Sequence, residues 1–323
     1  MDKVSIIVPA YNVEEYLART LSSLVNQTYR NVEIIVVDDC SKDGTRRVIQ
    51  DFAKKDERVV PMLLDRNGGV SNARNIALEA VTGDWVCFCD GDDWFEPDFV
   101  EEMRYCSQKE NADYIICNYK IAAEGRAAFA SGSIDALRSG CERKRVIALG
   151  PTASCTHMIR RELFERAGVR YPVGCKQSEE LPVIPVLAKY AERIALVDQP
   201  LYNYFQRGNG TSASNMAVES EKNFRMAWHI MRERLGEEYL QEAEFHAIYA
   251  LLYGEILKLC KQKTSAKEIR RKILEFEREF PAYHANPYLA QMGRAKRVFL
   301  VFAQMRWVAG LRVLAWVHGK IVN

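Results

Sequence analysis

The sequence predicts an α/β fold, a doubly wound and mainly parallel sheet with a helical C-terminal extension. Two observations predict it. Apolar runs of five or six residues alternate with amphipathic stretches of twelve or more through the first 118 residues, and units of that length build parallel sheets with covering helices. The runs are also nearly continuous in their apolar character, as strands buried on both faces are.

Taken in order, Lys3–Val8 reads as a strand and Glu14–Gln27 as an amphipathic helix. Val32–Val37 is the second strand, followed by a helix from Asp43 to about Lys54. Val59–Leu64 and Gly69–Ala80 repeat the unit, then Trp85–Cys89 and Pro97–Lys109, and Asp113–Asn118 is a fifth strand. Lys120–Gly150, with its glycines and scattered Arg and Lys, breaks the pattern and reads as a long insertion over the sheet's edge that lines a cleft. Order resumes with Thr152–Ile159, helices at Arg161–Ala167 and Glu179–Tyr190, and a strand at Arg193–Val197. From about Ala217 the chain is helical almost to its end, with breaks near Pro281 and Pro287. The expected division is 1–118 and 119–215 as two halves of one α/β domain, with 216–323 as a helical region.

Composition excludes more than it selects. A net charge of +2 says little about partners, but no acidic residue follows Glu279, and Arg294, Lys296, Arg297, Arg306, Arg312 and Lys320 give that tail +6. Nucleic acid is not an expected partner, because no recognisable module accompanies this modest basicity. Nine cysteines without framework spacing fit a reducing, cytoplasmic compartment. The opening MDKVSIIVPAYN has too short an apolar run for a signal peptide, and no uncharged segment is long enough to span a bilayer.

The chemistry concentrates at strand ends. WVCFCDGDDW stops an apolar strand on Asp90, Asp92 and Asp93. Carboxylates cannot be buried unpaired at low cost, so this run surfaces at the strand's carboxyl end, where open α/β sheets bind ligands. The run reads either as an oxygen-ligand site for Mn²⁺ or Mg²⁺ holding a diphosphate, or as a solvated turn before the next helix. The first two strands end in VPAYN and VVDDCSKDGT and deliver Asp38 and Asp39 to the same edge; such carboxylates suit a base or ribose. Asp43 reads as a helix cap. The turn DRNGGVSNARN offers backbone N–H groups to a ligand, with Asn67 beside its glycines, and Arg66 or Arg74 offers a cation for phosphate.

These segments together resemble family 2 glycosyltransferases of the GT-A fold. VSIIVPAYN, QTYRNVEIIVVDDCSKDGT, RNGGVSNARNIAL and GDWVCFCDGDDW follow that family's order and spacing over residues 3–110, and a weaker likeness covers 150–212. The resemblance implies that Asp90-Gly91-Asp92 is the D-x-D motif, with Asp92 the direct metal ligand and Asp90 nearer the ribose or the metal's waters. It places Pro9, Tyr11 and Asp39 in the nucleotide pocket, with Glu14 close by. YPVGCKQSEELPV matches the acidic pair below the acceptor, so Glu179 contacts substrate and Glu180 stands where the family commonly carries a catalytic Asp. On the residues alone, the pair equally well begins a helix. PLYNYFQRGNGTS supplies Arg207 for the leaving diphosphate, and Ser212 follows it. His157 is a packed histidine or an acceptor contact.

The implied function is metal-dependent, inverting transfer of a sugar from a nucleotide diphosphate, foremost UDP, to a saccharide or lipid-linked acceptor in surface-polysaccharide synthesis. Two alternatives compete: a non-catalytic nucleotide-sugar-binding subunit in which Glu180 marks a lost base, and a sugar nucleotidyltransferase. The latter needs a glycine-rich loop after its first strand, and VPAYN has none. The tail RAKRVFLVFAQMRWVAGLRVLAWVHGK interleaves aromatic residues with cations, which suits the inner face of the cytoplasmic membrane or a second subunit.

Overall fold

The computed structural model describes residues 2–124, 126–207 and 217–322. The chain forms two compact units, Met1–Arg234 and Leu235–Asn323.

The first unit opens with β1 (Val4–Ala10), α1 (Glu14–Val25), β2 (Val32–Asp38), α2 (Thr45–Ala53), β3 (Val59–Leu63), α3 (Val70–Ala80) and β4 (Trp85–Phe88). Every residue of β1, β2 and β4 is buried, which their Val, Ile and aromatic content allows. These four strands run parallel in the order β3-β2-β1-β4. Register decides where their ends meet. Ala10 lies opposite Asp38, and Ile7 opposite Phe88, so the segments that leave β1, β2 and β4 emerge together at one edge.

The remaining elements are β5 (Trp94–Phe95), α4 (Phe99–Glu110), β6 (Tyr114–Ala123), β7 (Arg126–Ala130), α5 (Arg143–Leu149), β8 (His157–Arg160), α6 (Arg161–Ala167), α7 (Ile184–Tyr190), β9 (Ile194–Gln206) and α8 (Ala217–Leu235). The sheet is therefore mixed. β8 inserts antiparallel between β4 and β6, β9 runs parallel to β6, and β5 closes the far edge antiparallel to β9.

Three expected boundaries move. The Lys120–Gly150 insertion is more ordered than its composition suggests, because β6 continues to Ala123 and turns back as β7, and α5 follows. The strand expected to end at Val197 runs to Gln206, since its second half pairs with the extended β6 through Ala123. The helix expected from Glu179 begins at Ile184. Ser178 takes a left-handed backbone (φ 62°), the Leu181 and Val183 amides close turns onto Ser178 and Glu180, and Pro185 sits in the first helical turn. The acidic pair thus sits in a strained turn ahead of the helix.

At the sheet's opposite edge Glu33 is buried, and its carboxylate accepts from Lys3 Nζ (2.6 Å), Thr82 N (2.7 Å) and Ser5 Oγ. Burial alone would raise its pKa, but these donors hold it down to about 2. All nine cysteines are unpaired.

The second unit is helical: α9 (Leu240–Ala247), a π-helical turn at Ile248–Gly254, α10 (Glu255–Lys261), α11 (Ala266–Glu279), α12 (Arg294–Gln304) and α13 (Val308–Val322). Ile256, Ile269, Ile273, Phe276, Phe299 and Leu311 fill its core. Ser265 caps α11 by accepting from the Glu268 amide at 3.2 Å. Among the described residues no helix is long and apolar enough to cross a membrane.

Candidate active site

The strand ends enclose a cleft of about 380 Å³ lined by Pro9, Tyr11, Asp39, Asn67, Arg74, Asp90, Gly91, Asp92, Glu179 and Arg207. Residues from β1, the β2 and β3 turns, α3, the β4 tip, the turn before α7 and the end of β9 therefore share one cavity.

Asp39 organises one wall. Its carboxylate accepts from the Gly68 amide (2.8 Å) and the Gly69 amide (2.7 Å), and Asn67 Nδ2 donates to its backbone carbonyl at 3.1 Å. Gly69 adopts φ 83°, which a side chain would strain, and this bend turns both amides onto the carboxylate. Asp38 does a different job, accepting from the Ser41 amide and from Arg46 Nε at 2.9 Å beneath the turn. Asp43 lies one residue before Gly44, the N-cap of α2, which has no side-chain cap; it accepts from the Thr45 amide at 3.0 Å and the Glu14 amide at 3.1 Å and so ties the loop to the α1 start. Glu14 itself is not among the residues lining the cleft. It accepts from the Gly44 amide at 2.7 Å and pairs with Arg47 at 3.3 Å, because the α1 start is docked against the loop before α2.

The β4 tip carries three carboxylates in three different settings. Asp93 is buried and structural: Tyr202 Oη and the Phe205 amide (2.7 Å) both donate to it. Burial first, then Asp90 and Asp92, push its pKa well up, against those two donors. Asp92 pairs with Arg207 Nη2 at 2.6 Å. Its pKa is also raised, by burial and then Asp90, so Arg207 offsets the local negative charge only in part. Asp90 is the most exposed of the three and pairs with Arg74 Nη2 at 3.0 Å. Gly91 lies between them, where an added Cβ would come within 3.1 Å of the Pro9 carbonyl.

Arg74 is the centre of the other wall. It is 3% exposed, and its guanidinium meets Asp90 at 3.0 Å, Glu179 at 3.0 Å and Glu180 at 3.5 Å, with the Tyr171 ring 5.2 Å from its Cζ. Sequence reasoning offered this cation to a phosphate; the structure surrounds it with three carboxylates. Glu180 Oε1 also accepts from the Ser154 amide at 2.7 Å. Burial, the leading influence, together with Glu179 and Asp90 outweighs Arg74 and lifts the Glu180 pKa to about 7. The side chain keeps 22% of its surface, so its enclosure is one-sided. The adjacent residue of α3, Asn75, exchanges two 2.9 Å hydrogen bonds with the Tyr171 backbone, and Tyr171 Oη lies 2.7 Å from Ser154 Oγ.

Asn75, Ser154 and Tyr171 escaped the sequence reading, whereas Asp93, visible there as one of three strand-end carboxylates, is buried as an anchor for β9. The "RN" of the third turn was visible as Arg74-Asn75, but partners about 100 positions away leave no local signal. His157 is fully buried, edge-on to Tyr114, and donates from Nε2 to the Pro151 carbonyl at 3.1 Å. Burial drops its pKa to about 3, so it stays neutral as a packed side chain. Ser212 lies outside the described residues.

Comparisons with known proteins give the family and the fold. Residues 5–168 match the profile of glycosyl transferase family 2. The chain is 27% identical over 331 residues to the uncharacterized glycosyltransferase EpsJ of Bacillus subtilis strain 168, covering 94% of this chain and 92% of that one. The poly(ribitol-phosphate) beta-N-acetylglucosaminyltransferase TarS of Staphylococcus aureus is 28% identical over 253 residues, which span 77% of this chain and 43% of TarS. The crystal structure of TarS 1–349 with UDP-GlcNAc superposes with a TM-score of 0.68 at 22% identity, covering 98% of this chain and 92% of that one. The Pyrobaculum calidifontis mannosyltransferase PcManGT, solved with GDP-Man and Mn²⁺, superposes with a TM-score of 0.57 at 15% identity, covering 98% and 86%.

Proposed function

The chain belongs to glycosyl transferase family 2, and from that premise we propose that it moves a hexosyl or N-acetylhexosaminyl group from a UDP-sugar to a saccharide or lipid-linked saccharide of a cell-surface polymer, with inversion. The observation that carries this reading is the shared cleft, where Asp39, Asp90, Asp92, Glu179 and Arg207 line one cavity. Residues 1–118 would hold the nucleotide-sugar and 119–215 the acceptor, while the helical region 216–323 rests on the inner face of the cytoplasmic membrane. The relatives named above support the polymer and the UDP donor by analogy.

The cleft has the donors for a divalent ion that arrives with a diphosphate. No set of three His, Cys, Asp or Glu among the described residues gathers to hold an ion unaided. Mg²⁺ in nucleotide sites, however, needs only one or two carboxylates beside substrate oxygens. Asp92 and Asp90 supply that pair, and burial followed by repulsion from Asp90 raises the Asp92 pKa despite its Arg207 partner. A bound Mn²⁺ or Mg²⁺ there would supply charge against the leaving diphosphate.

The protein's own groups do the rest. Pro9, Tyr11, Asn67 and the Asp39 turn form the nucleotide wall, and Gly91 lets the β4 tip approach it. Glu180 Oε1 is held by the Ser154 amide and lies near Arg74, which leaves Oε2 to take the proton of an acceptor hydroxyl. The acceptor's own oxygen then attacks the anomeric carbon from the face opposite the nucleotide, and the bond to the diphosphate breaks as the new one forms. Arg207, 4.8 Å from the Tyr16 ring centroid, neutralises the departing charge, and Ser212 would add an uncharged hydrogen-bond donor to the same diphosphate. Glu179 and Arg74 keep the base oriented toward the acceptor.

The test is UDP release from a panel of UDP-sugars, with Mn²⁺ and with chelator. Release that needs the metal supports the reading. Equal release in chelator removes the metal from it, and no UDP binding at all removes the donor.

A further inference from the structure

Seven of the fifteen large apolar side chains exposed among the described residues lie between Val298 and Val317. They are not scattered. On α13, Val313, Trp316 and Val317 fall at helical spacing on the face away from buried Leu311 and Ala315. A helix that is apolar toward solvent as well as toward its core is built to meet something.

Beside this stripe is a cavity of about 600 Å³, lined by the end of α10, the loop after it and α13. Lys261, Lys263, Arg312 and Trp316 line it, and among the described residues no side-chain carboxylate does. Two of the cations are fixed in place. Arg312 Nη2 donates to the Thr264 carbonyl at 2.7 Å, and Lys261 Nζ lies 3.3 Å from His318 Nδ1. His318 feels that field: burial first, then Lys261 and Lys296, hold its pKa below the usual value.

We propose that this cavity binds the anionic headgroup of a membrane phospholipid, with Val313, Trp316 and Val317 seated in the acyl boundary beside it. The proposal rests on the membrane-surface reading above and assigns it a site. Charge selects the occupant. A second copy docked through the same face would set these cations against their own equivalents, because a two-fold interface pairs a patch with itself. A surface of lipid phosphates offers opposite charge and an apolar layer at the depth the indole needs.

The experiment is flotation of the full chain with phosphatidylcholine vesicles, with and without phosphatidylglycerol. The chain is expected to float only with the anionic vesicles. Lys261→Gln, Lys263→Gln and Arg312→Gln together should weaken that binding roughly a hundredfold, taking about fivefold per cation removed. Trp316→Ala, which leaves the charges, should also lose binding. The melting shift produced by UDP, unchanged in each variant, reports an intact fold. If the triple variant floats like its parent, the site is wrong while membrane attachment stands. If the parent binds neither vesicle, the membrane reading itself fails. A dimer in solution that Trp316→Ala dissolves overturns the proposal in favour of a second copy.

Discussion

Arg74 carries more of this site than any single carboxylate. Its buried guanidinium is shared by Asp90, Glu179 and Glu180, so it ties the β4 tip to the turn before α7. Removing it leaves three acids facing one another without a cation. Arg74→Gln should lower unfolding stability by about 3–5 kcal/mol, the usual cost of orphaning a buried charge. Arg74→Lys keeps the charge and should recover much of that stability in urea unfolding, yet restore little turnover, because one ammonium cannot hold three carboxylates in a fork's geometry. The sequence exposed Asp39, Asp90 and Asp92 because each ends an apolar run. It left Arg74 ambiguous, since a lone arginine in a glycine-rich turn reads as a phosphate contact or as a surface cation, and its partners Glu179 and Glu180 lie far away in the chain. Glu180 was legible only through the family pattern; its local signal is that of a helix start.

The strands that place these groups depend on a few anchors at their ends. Asp93 is one: with Tyr202 and the Phe205 amide it pins the last turn of β9, two residues before Arg207. Tyr202→Phe removes a donor from a buried carboxylate whose pKa burial already raises, and should cost about 1–3 kcal/mol in thermal or urea unfolding. It should also weaken UDP binding, because Arg207 loses its fixed base; a variant with unchanged stability and binding would remove Asp93 from this role. The first four strands and their helices were readable within a residue or two, since burial on both faces imposes continuous apolar runs on β1, β2 and β4. The second half was not. β8 pairs between β4 and β6 although it follows β6 in sequence, and an antiparallel strand of four residues carries too little pattern to announce its place. The length of β9 was hidden for another reason: its aromatic second half reads as a motif, and only pairing with β6 makes it strand.

On the scale of the whole molecule, acid is the informative perturbation. Glu33 has a folded pKa depressed to about 2 from the usual 4.5. The unfolded chain therefore binds the extra proton between those values, so the stability Glu33 contributes is present above about 4.5 and is lost as pH falls toward 2. Glu33→Gln should cost about 1–3 kcal/mol at neutral pH and differ little from the parent near pH 2, by denaturant unfolding at each pH. A cost independent of pH would assign Glu33 a packing role only. The helical C-terminal unit was predicted as a class, from its 3.6-residue periodicity. Its cationic cavity was not, because it forms between α10 and α13, helices about 50 residues apart in the chain.

The central claim is that Glu180 is the base of a site that also binds the nucleotide. Turnover of a UDP-sugar and acceptor by Glu180→Gln, measured beside UDP binding and across pH, tests it most directly. The parent should gain activity as pH rises through about 7, where Glu180 ionises. The variant should bind UDP as the parent does, lose at least about a hundredfold in turnover, and lose that rising limb. Undiminished turnover in Glu180→Gln, with UDP still bound, would contradict the account.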